Sequence, residues 1–102
     1  MAALAREAAR DLLFMFNLRQ AAERAELDDG EALAFVCRAV TYLVSRGAKV
    51  GWGDPDASDW RKATEFAGAP SAVANAVVNA WQHDRSKYDF LVFAFRGATH
   101  AA

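Results

Sequence analysis

Apolar residues in the first quarter of the chain recur at the spacing of an α-helix. One face is formed by Leu4, Ala8, Leu12, Met15, Ala22 and Ala25. By the same rule Phe14, Leu18 and Ala21 form a second apolar face. The pattern predicts one long helix over residues 1–27. Because it is apolar on two sides, the second face must meet either the rest of the fold or another molecule.

The next segment predicts a second long helix, over residues 31–46. Its polar residues fall on one narrow stripe formed by Glu31, Arg38, Thr41 and Ser45. Since all other faces are apolar, we expect this to be the most buried helix. Asp28 followed by Glu31 is the pattern of a capping box at its start, and Gly47 suits its end.

Two short segments have the pattern of β-strands. Val50 and Trp52 alternate with Lys49 and Gly51, which is typical of a strand. Residues 88–95 are rich in aromatic and branched side chains, and they fit a buried strand or a ten-residue helix. Because short strands need a partner, we favour a two-stranded pairing of 48–52 with 88–96.

Residues 58–83 have the layout of two helices joined by a tight turn. Ser58 or Asp59 can cap a short first helix, and Gly68 suits its end. Pro70 suits the first turn of a second helix, where its missing N–H has no partner to lose. The chain is therefore predicted to be one mainly α domain of four to five helices over residues 1–102, with a frayed tail at 98–102.

This hairpin resembles the helix-turn-helix of many bacterial repressors. Ala67-Gly68 followed by Val78-Asn79 is similar to the first helices of the LacI-type DNA-binding domain, over about 20 of the 102 residues. The chain departs from that family where base-reading or phosphate-reading side chains are expected, at Pro70, Ala72, Ala74 and Ala76. The resemblance implies that a helix enters a DNA groove with Ser71, Asn75 and Asn79 facing the bases. Phosphates would then meet the nearby cations Arg61, Lys62, Arg85 and Lys87.

Composition weighs against nucleic acid and membranes as partners. The net charge of −1 and the pI near 6.1 provide no basic field for either. No apolar run approaches the length of a membrane span, and no signal peptide is evident. The single cysteine, Cys37, fits a reducing compartment. We therefore expect a cytoplasmic protein.

No group of residues in the sequence has the spacing of an active site. His83 and His100 stand far apart, and Cys37 lies on the apolar side of its helix. There is no pair of cysteines or histidines at metal-ligand spacing and no glycine-rich phosphate loop. We therefore predict no catalytic residue, no metal, no cofactor and no small-molecule ligand, and hence no enzyme.

Two functions then remain. The first is a small protein-interaction module of adaptor or inhibitor type, which binds through Phe14, Leu18 and Ala21 and through Trp52 in its glycine-flanked loop. Its first expected partner is a second copy, since closed dimers are the commonest assemblies, and the other is a different protein. Trp52 itself is either an exposed anchor or a side chain folded back onto the core. The alternative function is a dimeric helix-turn-helix DNA-binding regulator.

Overall fold

The computed structural model describes residues 13–54 and 58–95. Within these ranges the chain forms four helices and four short strands. In chain order they are β1 (Leu13–Phe14), α1 (Met15–Arg24), α2 (Asp29–Ser45), β2 (Lys49–Trp52), β3 (Arg61–Lys62), α3 (Pro70–His83), α4 (Arg85–Tyr88) and β4 (Val92–Ala94). The predictions for residues 1–12 and for the tail at 98–102 lie outside the described residues.

The four strands form one antiparallel sheet in the order β1-β4-β2-β3. Phe93 on β4 lies opposite Val50 on β2 and opposite Leu13 on β1. The predicted pairing of 48–52 with 88–96 is therefore confirmed over Lys49–Gly51 and Val92–Ala94, but it is part of a four-stranded sheet and not a two-stranded one. With about 56% of the described residues in helices beside this sheet, the fold is mixed α/β and not clearly a mainly α bundle.

The main core cluster lies on one face of the sheet. Because side chains alternate along a strand, Leu13, Val50 and Phe93 share a face, and all three belong to one buried cluster. The helices add Leu18 from α1, Val40 from α2 and Val77 from α3, none of which has any exposed area. The sheet and three helices thus enclose a single core. No helix within the described ranges has the length and hydropathy to cross a membrane.

Helix α2 is held at its start by the predicted capping box. The backbone N–H of Glu31 donates to the Asp28 carboxylate at 2.8 Å, and the Glu31 carboxylate accepts from the Asp28 N–H at 3.2 Å. Two of the N–H groups at the helix start are thereby satisfied. The helix begins at Asp29 and ends at Ser45, within two residues of the predicted bounds.

The helix predicted over residues 1–27 is wrong in its bounds at both ends, as far as the described residues from 13 onward show. Residues 13–14 are strand, because β1 pairs with β4 and the N–H of Met15 donates to the carbonyl of Leu91 at 2.8 Å. The helix begins only at Met15 and ends at Arg24. Glu26 then adopts a φ of 57°, in the left-handed region, which turns the chain toward α2.

The predicted helical hairpin at 58–83 is wrong in its first half. Residues 61–62 form β3, in which Lys62 lies opposite Gly51, and the N–H of Ala63 donates to the carbonyl of Val50 at 2.9 Å. The second half is confirmed as α3, which has a proline in its first turn. Since the preceding segment is strand and turn, residues 58–83 do not form a helix-turn-helix.

The contact between Trp60 and Gly51 explains how so short a strand as β3 stays in place. A side-chain carbon at position 51 would overlap the Trp60 ring and lie 2.6 Å from the carbonyl oxygen of Arg61. Glycine at 51 therefore allows the indole and the β3 backbone to approach β2 closely. This contact and the pairing with β2 accompany an extended backbone at residues 61–62, where the sequence pattern predicted a helix.

Candidate protein-interaction surface

Three phenylalanines form an apolar surface beside the edge strand β1. Phe90 is 61% exposed, and Phe14 and Phe16 are half-buried. The rings of Phe14 and Phe16 stack with centroids 5.0 Å apart, and Phe16 meets Phe90 edge to face at 6.1 Å. We call these three side chains the aromatic patch. Contiguous exposed apolar surface of this kind often marks an interaction site.

The patch is assembled by the end of the β1–β4 ladder. The register that places Phe14 opposite Val92 continues through Met15 and Leu91, so that the residues that follow also face each other. The N–H of Phe16 donates to the carbonyl of Asp89 at 3.0 Å, next to Phe90. Two segments far apart in sequence therefore bring their phenylalanines together.

The Asp89 carboxylate connects the segment before β4 to two helices. It accepts from the indole N–H of Trp81 on α3 at 2.9 Å and from the guanidinium of Arg19 on α1 at 3.3–3.4 Å. The hydrogen bond to Glu23 and the contacts with Asp89 raise the pKa of Arg19, although burial opposes the rise. The guanidinium thus stays charged. The hydrogen bonds from Arg19 and Trp81 hold Asp89, which precedes Phe90, in one position.

The backbone of the β1 edge is already satisfied. In an antiparallel ladder alternate residues direct their N–H and C=O groups toward the partner strand and away from it. The outward N–H of Phe14 donates to the Asn17 side-chain oxygen at 2.8 Å. Phe14 is also the N-cap residue of α1, so its carbonyl accepts the first helical hydrogen bond. A partner therefore has to use the phenylalanine side chains and not strand addition at Phe14.

The structure separates the four residues predicted to bind a partner. Phe14 lies in the aromatic patch and Ala21 is half-buried on α1. Leu18 has no exposed area and belongs to the core, so the predicted face through Phe14, Leu18 and Ala21 is not a surface. Leu18 is buried because the face of α1 that carries Met15 and Leu18 packs against the core.

Trp52 is folded back against the protein. It is half-buried, and its ring packs on Tyr88 with centroids 5.6 Å apart. Tyr88 in turn meets Phe66 edge to face at 6.1 Å. Of the two interpretations of the glycine-flanked tryptophan, the folded-back side chain is the one that the structure shows.

Sequence reasoning missed Phe16 and Phe90 as surface residues. Phe16 stands in an apolar run and Phe90 begins a segment that has the composition of a buried strand. Neither has a local signal of exposure. Only the register between β1 and β4 shows that the two rings meet outside the core.

The three polar residues predicted to face DNA share one exposed face of α3, because they are spaced four residues apart. Ser71, Asn75 and Asn79 lie exposed along α3, where Asn75 also accepts a long hydrogen bond of 3.5 Å from the thiol of Cys37. The predicted cations lie before and after this helix, which is about 20 Å long. Those after it rest on aromatic rings, with Arg85 over Trp81 at 4.4 Å and Lys87 over Tyr88 at 5.1 Å.

The described part of the chain holds no cluster of three or more histidine, cysteine or carboxylate side chains that could bind a metal ion. Cys37 is a free, half-buried thiol. Comparison of the chain with protein-family models, with curated proteins and with solved structures gives no match. The geometry of the surface therefore carries the functional argument.

Proposed function

We propose that this protein is a non-enzymatic interaction module of adaptor or inhibitor type that binds its partner through the aromatic patch. The observation that carries the proposal is the 61% exposure of Phe90, the one large apolar side chain among the described residues that is mainly in solvent. A phenylalanine ring has no polar group that water can satisfy. Its exposure beside two further rings is best explained by a partner that covers them.

A second copy of the chain is the first partner that we propose. The patch consists of phenylalanine rings, so two copies can meet without bringing like charges together. Aromatic rings also pair well with each other, in stacked or edge-to-face arrangements. A two-fold axis through the patch would place the same rings on both sides of the contact, as in most homodimers.

The size of the patch determines the affinity of self-association that we expect. A standard interface buries about 800 Å² on each partner, and one aromatic side chain buries at most about 150–250 Å². Three rings that are already partly covered supply the centre of such an interface and not all of it. We therefore expect reversible association in the micromolar range and not a permanent dimer.

Sedimentation velocity over a concentration series tests the proposal. We expect the wild type to shift toward a dimer as its concentration rises, and the variant Phe90→Asp to remain a monomer. A charge at the centre of an apolar contact would weaken it by at least about 2 kcal/mol, or roughly thirtyfold. Because Phe90 is mostly exposed, this variant should keep its fold.

Ala76→Asp provides the matched control, since Ala76 is exposed on α3 and away from the patch. It adds the same charge and should associate like the wild type. A wild-type protein that stays monomeric at millimolar concentration would refute self-association, and a different protein would then be sought with the same two variants. The cytoplasmic location is part of this proposal and is supported by the free thiol of Cys37.

A further inference from the structure

A pocket of about 330 Å³ lies beside the end of the β2–β3 ladder. It is bordered by the end of α2, by β2, by the segment that follows β3 and by the start of α3. Most of its wall is apolar, with Val44, Val50, Phe66 and Val73 among the lining residues. Its volume and its apolar wall are in the range of sites for small molecules.

The backbone N–H of Val50 is a hydrogen-bond donor at the wall of this pocket. The N–H and C=O groups of one strand residue point to the same side of the strand. The C=O of Val50 accepts from the N–H of Ala63 at 2.9 Å, so the N–H of Val50 also faces Ala63 and not β4. Val50 is buried, and both residues line the pocket.

The carbonyl of Ala63, which would complete this pair, is engaged in a turn instead. It accepts from the N–H of Phe66 at 3.1 Å, and the β2–β3 ladder accordingly ends at Gly51 and Lys62. Among the described residues the N–H of Val50 has no hydrogen-bond partner. Because buried backbone N–H groups are almost always paired, this donor favours a ligand that brings an acceptor.

The charges near the pocket favour neither sign. Lys49 and Lys62 belong to the lining. Side chains alternate along a strand, and Lys62 lies opposite Gly51, so both lysine side chains extend to the sheet face opposite that of Val50. Glu65, exposed in the turn after β3, carries the opposite charge. Since an apolar wall disfavours an ionic ligand, these observations point to a neutral one.

We propose that this pocket binds a compact neutral molecule with an apolar body and a carbonyl group, of the size of acetophenone. The apolar body would pack against the valines and Phe66, and the carbonyl oxygen would accept from the N–H of Val50. The lining includes no phenylalanine of the aromatic patch. The two proposals therefore stand or fall separately.

Titration of acetophenone into the ¹⁵N-labelled protein tests the site directly. We expect saturable shifts of the amides of Ala63 and Gly68, with a Kd of about 1–10 mM for so small a probe. The amide proton of Val50 should move downfield, because a hydrogen bond to a carbonyl oxygen deshields it. The amide of Asn17, on α1, should not shift.

Three further probes of the same shape separate the contributions. α-Methylstyrene has the same ring and a methylene group in place of the carbonyl oxygen. It should shift the amides around the pocket without the downfield movement at Val50. Benzoate and benzamidinium carry a negative and a positive charge, and each should bind at least about tenfold more weakly than acetophenone.

Two tryptophan variants test whether the probe occupies this pocket. Ala67→Trp places a large ring at an exposed position on the pocket wall and should abolish saturable binding. Ala76→Trp is the matched control, because Ala76 is exposed on α3 and outside the lining, and it should leave the Kd unchanged. The amide spectrum of each variant shows whether it is folded.

Any of four results would overturn the proposal. They are an absence of saturable shifts with millimolar acetophenone, equally tight binding of benzoate or benzamidinium, the same movement of the Val50 proton with α-methylstyrene, and wild-type binding by Ala67→Trp. Repeating the titration with Phe90→Asp separates the result from any effect of self-association.

Discussion

The two edge strands of the sheet are equally short and carry opposite chemistry. β1 presents Leu13 and Phe14, while β3 presents Arg61 and Lys62, both exposed. Each of them has one neighbouring strand within the described residues. An unpaired edge is a site where a further strand can add, and charged side chains oppose this. β3 is protected in that way, whereas β1 is protected by the hydrogen bond from Phe14 to Asn17.

This difference determines what each edge has to offer. At β1 the outward N–H of Phe14 is satisfied and its ring remains partly exposed, which suits a protein partner that buries rings. At β3 both side chains are charged and exposed, which opposes the addition of a further strand. The two ends of the sheet therefore differ in what can pack against them.

The largest expected effect on stability distinguishes the buried ring at the centre of the sheet from the exposed ring beside β1. Phe93→Ala removes a fully buried ring that lies opposite both Leu13 and Val50, so we expect it to lower the free energy of unfolding by about 3–5 kcal/mol. Phe90→Ala is the same change at the exposed ring and should lower it by less than about 1 kcal/mol. Urea denaturation measures both, with Phe93→Leu as a milder variant. Equal losses would show that Phe90 is part of the core.

The next effect concerns the attachment of β3. Gly51→Ala would push the added carbon into the Trp60 ring and the Arg61 carbonyl, and we expect a loss of about 1–3 kcal/mol together with a changed Trp60 fluorescence. Gly30→Ala is the control, because Gly30 lies in α2 and its added carbon meets only the Asp28 carboxylate at 3.6 Å. That change should be neutral or stabilising. A harmless Gly51→Ala would mean that Trp60 does not pin β3.

A smaller loss of stability is expected where the Asn17 side chain accepts the outward N–H of Phe14 on β1. Asn17→Ala removes the acceptor for the outward N–H of Phe14, and we expect a loss of about 1 kcal/mol in thermal or urea denaturation. Asp28→Ala removes a comparable capping bond at α2 and should cause a similar loss. Only Asn17→Ala should also speed hydrogen exchange at Phe14. Unchanged exchange there would show that the β1 edge is protected by other means.

The smallest effect is expected for nucleic acid at the β3 edge. Because residues 58–83 lack a helix-turn-helix and the net charge is −1, we expect no retardation of a random DNA duplex at low salt. The variant Arg61→Ser with Lys62→Ser should behave like the wild type. Retardation that this double variant abolishes would restore DNA binding as the better hypothesis.

Local signals were sufficient for the elements that a few neighbouring residues define. The capping box at Asp28 and Glu31, the proline that opens α3 and the alternation around Val50 each predicted an observed element. Their physical cause lies within one turn of helix or one short strand. For that reason the sequence alone was enough to find them.

Other features depend on contacts between distant segments. Two-residue strands such as β1 and β3 have no period that a sequence can show, and each exists because a neighbouring strand accepts its hydrogen bonds. The helix predicted through Leu13 and Phe14 was overridden by the pairing of these two residues with β4. The closeness of Trp60 to Gly51 likewise depends on how the chain folds back on itself.

The amino-acid order of this protein thus determined that α2 and α3 are helical, where they begin to within two residues, and that the segment around Val50 pairs with β4. It could not determine which face of α1 is buried, so Leu18 was predicted as surface. Nor could it show that the ring of Phe90, in the segment before β4, lies outside the core. Burial depends on what packs against a side chain, and a local pattern does not contain that information. The aromatic patch exists only because the tertiary structure joins residues that are far apart in the chain.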